Sequence, residues 1–183
     1  MPKLSWEDTV YRWRVRAGFF GIILVIILAK PNLPSLLGAI AVCFFGLLLR
    51  AWASGHLKKD KELAVSGPYL YTRNPLYLAN LIIGLSVVIA SLSWWVLVIF
   101  TVYYLLFYPL VMKKEKEKMR EFFPQEYEEY EKKTPAFFPF FRRVSSLQKN
   151  RFAWKHYRQN REWRALYGAL LFWLILGLKM LLL

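Results

Sequence analysis

The sequence predicts an all-α integral membrane protein with about five transmembrane helices. Of its 183 residues, 57% are hydrophobic and 18% are aromatic, whereas soluble domains contain roughly 45–50% apolar residues. The apolar residues gather in runs that approach the roughly 20 residues a helix needs to cross the hydrocarbon layer. The positive charges, which give a formal net charge of +14, lie mostly between these runs. Together these features exclude an ordinary soluble domain and a disordered basic tail.

Each apolar run is bounded by charged or helix-breaking residues, which predicts where its helix begins and ends. The first run is short and needs its flanking arginines to extend toward the membrane surface. Pro34 suits the first turn of the second helix, where its missing N–H needs no partner. Ser93 marks a tight turn that makes the third and fourth runs a hairpin. Within a single domain of residues 1–183, the predicted spans are approximately 10–29, 33–54, 75–92, 94–112 and 165–183.

The positive charges also predict the orientation of the chain. In the five-span arrangement 24 of the 26 Lys and Arg residues lie on one side of the membrane, and only Lys30 and Lys179 lie on the other side. Because Lys and Arg near span ends resist translocation, that side is the cytoplasm. We therefore expect a multi-pass protein whose N-terminus and loops 55–74 and 113–164 are cytoplasmic.

The net positive charge also predicts which partners the protein binds. Basic residues at the membrane surface attract anionic lipids. The basic and aromatic stretch 151–158 could stack nucleic-acid bases, but next to a span such a pattern is more typical of an interfacial helix. We expect anionic lipids and no nucleic acid. The single cysteine, Cys43, and the two histidines, His56 and His156, argue against a metal centre.

The loop between the second and third spans contains a first motif, residues 66–77. Gly67-Pro68 predicts a turn, and Pro75 predicts the first turn of the third helix. Arg73 is thereby expected at the membrane surface, with Asn74 in an extended or capping conformation. A helix N-terminus beside an arginine and several tyrosines suits an anionic or zwitterionic group. Spacing alone equally allows an aromatic-belt turn with a positive-inside arginine.

A second motif follows the fourth span, in residues 113–141, where most of the acidic residues are found. Glu128 and Lys132 stand four residues apart, which predicts a solvated helix with an ion pair on its surface. Most of these charges are therefore expected at the surface. A carboxylate directly after the fourth span could also bind hydroxyls or an ammonium group.

At these two motifs the sequence resembles the isoprenylcysteine carboxyl methyltransferase family and the related phospholipid N-methyltransferases, over roughly residues 50–139. These are integral membrane enzymes that use S-adenosylmethionine. Asn74 replaces the usual histidine of the family's first motif, and Ala79 replaces a glycine; bacterial members often carry Arg-Asn-Pro here. The matching residues of this motif are Gly67, Pro68, Tyr69, Tyr71, Arg73, Pro75 and Tyr77.

The family's second motif is also met in register. Lys116 stands where the family has a second glutamate, and Pro124 stands where it has a glycine. The matching residues are Glu115, Met119, Phe123, Glu126, Tyr127, Tyr130, Pro135 and Pro139.

The resemblance implies a cytoplasmic region that binds S-adenosylmethionine and a lipid-like or prenylated acceptor that enters from the bilayer. None of the nine glycines forms a Gly-x-Gly, so the loop of soluble dinucleotide-binding folds is missing. The residues expected near the reaction are Arg73, Glu115 and Tyr77. The residues expected to bind the cofactor are Gly67, Pro68, Tyr69, Tyr71, Asn74, His56, Glu126, Tyr127 and Tyr130.

The chemistry of the acceptor stays open at this point. A carboxylate acceptor is already ionised and needs only a cation such as Arg73 to align it. An amine acceptor such as phosphatidylethanolamine must first lose a proton, for which Glu115 is the candidate base. The leading interpretation is an isoprenylcysteine-type carboxyl O-methyltransferase, and the alternative is a phospholipid N-methyltransferase. Two further alternatives are an NADPH-dependent membrane reductase and a basic scaffold that gathers anionic lipids.

Overall fold

The computed structural model describes residues 6–59, 61–139 and 151–182, with the side chains of the first helix described from Arg12 onward. Every regular element in these ranges is helical, which confirms the all-α class. The elements are α1 (Trp6–Leu28), α2 (Leu33–His56), a 3₁₀ turn (Gly67–Leu70), α3 (Pro75–Ser91), α4 (Trp94–Phe122), α5 (Pro124–Lys133), α6 (Trp154–Gln159) and α7 (Trp163–Leu182).

The α2–α3 pair is the centre of the fold, and its helices approach each other closely. Asn32 caps α2: its Oδ1 accepts from Ser35 N at 2.9 Å, and Ser35 Oγ accepts from Asn32 N at 3.1 Å. This reciprocal arrangement satisfies two backbone donors of the first turn. At Gly46 an added Cβ would lie 2.6 Å from the Ile83 side chain. Small residues at such contacts let membrane helices pack backbone to backbone.

The predicted hairpin between α3 and α4 is present. Leu92 adopts a left-handed conformation with φ of 47° directly after α3, and Ser93 precedes the first residue of α4. From there α4 continues through Pro109 and past residue 112 to Phe122. The charged segment after the apolar run is therefore a rigid extension of the same helix. This fixes the position of Glu115 relative to the apolar part of the bundle.

Three helices, α2, α4 and α7, are long and apolar enough to cross a membrane. Helix α3 is equally apolar but has 17 residues, and α1 carries Arg12, Arg14 and Arg16 in its first half. Many large apolar side chains of these helices point outward, for example Phe45 and Leu105, which are 65% and 66% exposed. These features support integral membrane insertion. The five-span count and the cytoplasmic orientation stay predictions.

Two polar contacts attach α7 to the other helices, one near each end. At its C-terminal end, Lys179 Nζ donates to the backbone carbonyls of Ile26 and Ile27 at 2.6 and 2.8 Å. Just before its N-terminal end, Glu162 accepts two hydrogen bonds from Arg50, from Nε at 2.8 Å and from Nη2 at 2.9 Å. Because this bidentate pair is only 19% and 9% exposed, it fixes the approach of α7 to α2 strongly.

Candidate functional site

A cavity of about 150 Å³ lies at the charged end of the bundle, between residues 57–76 and the facing surfaces of α4 and α5. Both sequence motifs contribute to its wall. The lining residues with polar or aromatic groups are Lys59, Glu62, Tyr69, Arg73, Asn74, Glu115, Lys116, Lys118, Tyr127 and Tyr130, and the apolar ones include Leu63, Leu76, Met112 and Met119.

The 3₁₀ turn of the first motif is seated on the end of α2. Gly67 has φ of +60°, and an added Cβ would come within 2.7 Å of the His56 ring. His56 is itself buried, with Nδ1 2.9 Å from the carbonyl oxygen of Trp52. Glycine is therefore required at this position both for its backbone conformation and for the close approach. The turn places Tyr69 against α5.

Two buried tyrosines join this turn to α5. Tyr130 Oη donates to the backbone carbonyl of Tyr69 at 2.6 Å. Burial raises the pKa of Tyr69 and the pKa of Tyr130 well above their ordinary value of 10.0. Both hydroxyls consequently stay protonated, and the Tyr130 hydroxyl remains a hydrogen-bond donor at every physiological pH.

Arg73 lies at the centre of the contact between the first motif and α5. Its Nη1 donates to Glu131 Oε1 at 2.6 Å and to Tyr127 Oη at 3.2 Å. Its backbone N–H donates to the carbonyl of Pro135 at 2.9 Å, and its buried Nε has no hydrogen-bond partner. The guanidinium is thus held in one orientation, and its buried Nε–H has no partner.

Glu131 collects three cations. Besides Arg73, Lys116 Nζ lies 2.5 Å from its carboxylate and Arg120 Nη2 lies 2.7 Å from it. Partial burial raises the pKa of Glu131, but hydrogen bonds from Lys116, Arg73 and Arg120 outweigh burial and hold the pKa at about 2. Three positive charges surround one negative charge, so this cluster keeps an excess of positive charge beside the cavity.

Glu115 and Tyr77 form a second hydrogen-bonded pair at the site. Tyr77 Oη donates to Glu115 Oε1 at 2.6 Å. The Tyr77 ring packs edge-on against Tyr108 with centroids 5.5 Å apart, and its backbone carbonyl accepts from Tyr104 Oη at 2.9 Å. The carboxylate of Glu115 is therefore positioned by a tyrosine that is fixed on two sides.

Asn74 closes the site toward the segment after α5. Its Nδ2 donates to the carbonyl of Ala136 at 2.8 Å, and Thr72 Oγ1 donates weakly to the same oxygen at 3.4 Å. Asn74 precedes α3 but its side chain does not cap that helix. The two motifs are consequently linked by backbone and side-chain bonds over about 60 residues of sequence.

The structure brings together most, but not all, of the residues expected from the sequence. Tyr77 contacts the site through its hydrogen bond to Glu115. Gly67 and Pro68 form the turn behind the site, and His56 packs against that turn from the end of α2. Tyr71 is half-buried beside the site, and Glu126 lies on the exposed face of α5. The expected residues that line the cavity are Tyr69, Arg73, Asn74, Glu115, Tyr127 and Tyr130.

Sequence reasoning missed the role of Glu131 and its partner Lys116. One signal was available, since Tyr127 and Glu131 are four residues apart and must share a face of a helix. The expected ion pair between Glu128 and Lys132 is confirmed at 2.7 Å, and both side chains are about 70% exposed. Within the described ranges, no group of three or more His, Cys, Asp or Glu side chains is placed to hold a metal ion.

Comparison with protein families locates similarity in the same part of the chain. Residues 44–126 match the family model described as phospholipid methyltransferase. The matched stretch is just under half of the chain. It runs from the second half of α2 through the 3₁₀ turn, α3 and α4 to the first residues of α5, and it therefore contains Arg73, Tyr77 and Glu115.

Two curated proteins are similar over a stretch of 94 residues. The chain is 38% identical to the cobalt-zinc-cadmium resistance protein CzcN of Cupriavidus metallidurans and 35% identical to the nickel-cobalt-cadmium resistance protein NccN of Alcaligenes xylosoxydans. Each match covers 49% of this chain, and 42% and 43% of the respective relative. The chain thus spans less than half the length of these relatives. No solved structure matches the chain.

Proposed function

We propose that the chain is an integral membrane methyltransferase that uses S-adenosylmethionine and methylates a lipid-like acceptor. One observation carries this proposal: the stretch that matches the phospholipid methyltransferase model supplies most of the wall of a cavity at the end of an apolar bundle, and that wall contains both carboxylates and cations. Membrane enzymes of this kind need a polar cofactor site within reach of an acceptor that stays in the bilayer.

The donor set fits the methionine part of the cofactor. Glu115 offers a carboxylate for its ammonium group, on the side where Tyr77 orients the oxygen atoms. The excess positive charge of Arg73, Lys116 and Arg120 around Glu131 offers partners for its carboxylate. When bound, S-adenosylmethionine supplies a methyl group that is activated by the positively charged sulfur.

The protein's own contribution is then chiefly positioning and charge stabilisation. Arg73 and Glu131 hold α5 against the first motif, and Tyr127 and Tyr69 wall the cavity with aromatic surface that favours a cationic group. With Glu115 assigned to the ammonium, no side chain in this scheme acts as a general base. This favours an acceptor that is already ionised, and we propose a carboxylate of the isoprenylcysteine type.

Phosphatidylethanolamine-type N-methylation is the second candidate, favoured by the description of the matched family. In that case Glu115 would accept the proton of the acceptor amine. The two reactions leave chemically different products. A methyl ester is released by mild base, whereas an N-methyl group is stable to it.

Binding calorimetry on the detergent-purified chain tests the cofactor assignment. We expect saturable binding of S-adenosylmethionine and S-adenosylhomocysteine and none of NADPH. Glu115→Gln should weaken binding about tenfold, or about 1.4 kcal/mol. Glu117→Gln makes the same chemical change at a neighbouring residue that does not line the cavity, and it should leave affinity unchanged.

Transfer of a labelled methyl group tests the acceptor. Purified protein in lipid vesicles is given a prenylated cysteine carboxylate or phosphatidylethanolamine, and the product is treated with base. Base-labile label supports O-methylation, and base-stable label supports N-methylation. Absence of cofactor binding would refute the proposal; NADPH binding instead would favour the reductase, and binding of anionic vesicles alone would favour the scaffold.

A further inference from the structure

An apolar groove of about 480 Å³ runs along the membrane part of the bundle, between α1 and α7 and over α2 and α3. Its volume lies within the roughly 300–1,000 Å³ of small-molecule pockets. It is separate from the cavity at the charged end. Representative apolar residues of its wall are Phe19, Ile22, Ile83, Val87, Phe172 and Trp173.

The two ends of the groove differ in chemistry. One end is closed by a packed cluster that includes Leu36, Ala90 and Leu176, the last fully buried, and by the Lys179 bonds to α1. At the other end the wall contains Arg50 and Asn80. A groove that is apolar along its length and polar at one end only is complementary to an amphiphile with a single polar group.

The polar end offers hydrogen-bond donors. Glu162 occupies Arg50 Nε and Nη2, and Asn80 Oδ1 accepts from Arg50 Nη1. A guanidinium carries five N–H groups, so two of them have no partner among these three bonds. Glu162 itself does not line the groove. An oxygen-rich anionic group, such as a carboxylate, is what this end would accept.

The polar end also continues toward the candidate site. Asn80 forms a side-chain hydrogen bond with Tyr108, whose ring packs against Tyr77. Tyr77 in turn donates to Glu115. A chain of direct contacts therefore joins the polar end of the groove to Glu115 in the wall of the cavity.

We infer that the groove binds the hydrocarbon chain of a single-chain amphiphile whose carboxylate lies at Arg50 and Asn80. The inference goes beyond the proposed function and does not rest on it, because the groove and the cavity of the candidate site share no lining residue. Part of the site is formed by α7, which lies outside the stretch that matches the family model.

Gly168 gives a clean test, because it lines the groove and an added Cβ there meets no atom within 4 Å. Gly168→Leu should therefore place an apolar side chain in the groove. Gly177→Leu is the matched control: Gly177 lies on the same helix, has equally open surroundings, and is not part of the groove wall. Both variants exchange a helical glycine for a better helix former.

The experiment uses the full chain in phospholipid nanodiscs and a long-chain fatty acid with a photoreactive diazirine in its chain. Mass spectrometry should map the label to α1 and α7 residues of the groove. Gly168→Leu should lower the labelling about tenfold, the level expected when a side chain occupies the ligand's volume. Gly177→Leu should label like the unmodified protein, and excess unlabelled fatty acid should compete.

A second variant tests the polar end. Arg50→Gln combined with Glu162→Gln removes both charges together and leaves no unpaired ion. The unmodified protein should prefer a fatty acid to the fatty alcohol of equal length, and the double variant should lose that preference. Equal labelling of the two glycine variants would overturn the inference. Label that maps to the outer faces of the helices, and that decreases when phospholipid is added, would overturn it as well.

Calorimetry on the same samples separates the two proposals. If Gly168→Leu loses the label but keeps S-adenosylmethionine binding, both stand. If the label is insensitive to Gly168→Leu while the cofactor binds, the groove inference alone fails. If the label maps to the groove and no cofactor binds, the proposed methyltransferase fails while the lipid site stands.

Discussion

Replacing Glu131 by glutamine tests the charge cluster that joins α5 to the first motif. The change removes one negative charge that Arg73, Lys116 and Arg120 share. Three cations are then left close together, and Arg73 is only 12% exposed. We expect α5 to open locally more often, because this cluster and the Tyr130 bond are its main polar contacts with residues 69–73.

The magnitude follows from the depressed pKa of Glu131. A fall from the ordinary 4.5 to about 2 corresponds to at most about 3–4 kcal/mol at 1.36 kcal/mol per pKa unit. Glu131 is still 18% exposed, so solvent screening reduces the contribution to about 2 kcal/mol. The stabilisation is complete above a pH of about 4.5, and it is lost as the pH falls through about 2.

Hydrogen exchange of the α5 amides, measured by mass spectrometry at neutral pH, provides the assay. Glu131→Gln should speed their exchange about 30-fold, which is the factor for about 2 kcal/mol. Glu128→Gln makes the same substitution on the same helix, but the pair of Glu128 with Lys132 is about 70% exposed. This variant should change the rate of hydrogen exchange by less than about threefold. Equal effects of the two variants would refute the reasoning.

Three further predictions concern the same region. Tyr130→Phe removes the hydroxyl that donates to the buried Tyr69 carbonyl and should destabilise the protein by about 1–3 kcal/mol. Thermal unfolding, followed by the reactivity of the buried Cys43 thiol, measures this loss of stability. An unchanged midpoint of thermal unfolding would contradict the prediction. Gly67→Ala adds a Cβ at φ of +60° against His56 and should cost at least about 1–2 kcal/mol, whereas Gly38→Ala, in open surroundings on α2, should stabilise by about 0.5–1 kcal/mol. Arg73→Lys keeps the charge but cannot reproduce the planar arrangement of donors, so it should abolish methyl transfer while anionic vesicles still bind; full activity would exclude an essential role for the guanidinium.

Much of the fold follows from local sequence. The breaks at Pro34, Pro75 and Ser93 mark helix starts and a turn that the structure reproduces, because backbone preferences of single residues decide where a helix begins. The apolar runs likewise predict the helices of the bundle. The boundaries that differ are those of α1 and α4, which continue into charged sequence, since charge by itself does not stop a helix.

The candidate site was predictable only as two separate segments. Motif spacing pointed to Arg73, Tyr77 and Glu115, and helical periodicity could have added Glu131. Helical periodicity could not predict the ion pairs of Glu131. Its partners Arg73 and Lys116 lie 58 and 15 positions earlier in the sequence, and they meet its carboxylate only when α5 folds back on α4.

The sequence by itself determined that this is a helical membrane protein with its charges gathered at one end, because hydrophobicity and charge are properties of each residue that the bilayer sorts without reference to tertiary contacts. Only the tertiary structure decided which charges neutralise one another. Arg50 and Glu162 are 112 residues apart, and their pairing, like the groove between α1 and α7, depends on how whole helices pack. Electrostatic partners and cavities depend on the distances between helices, and no local sequence pattern determines those distances.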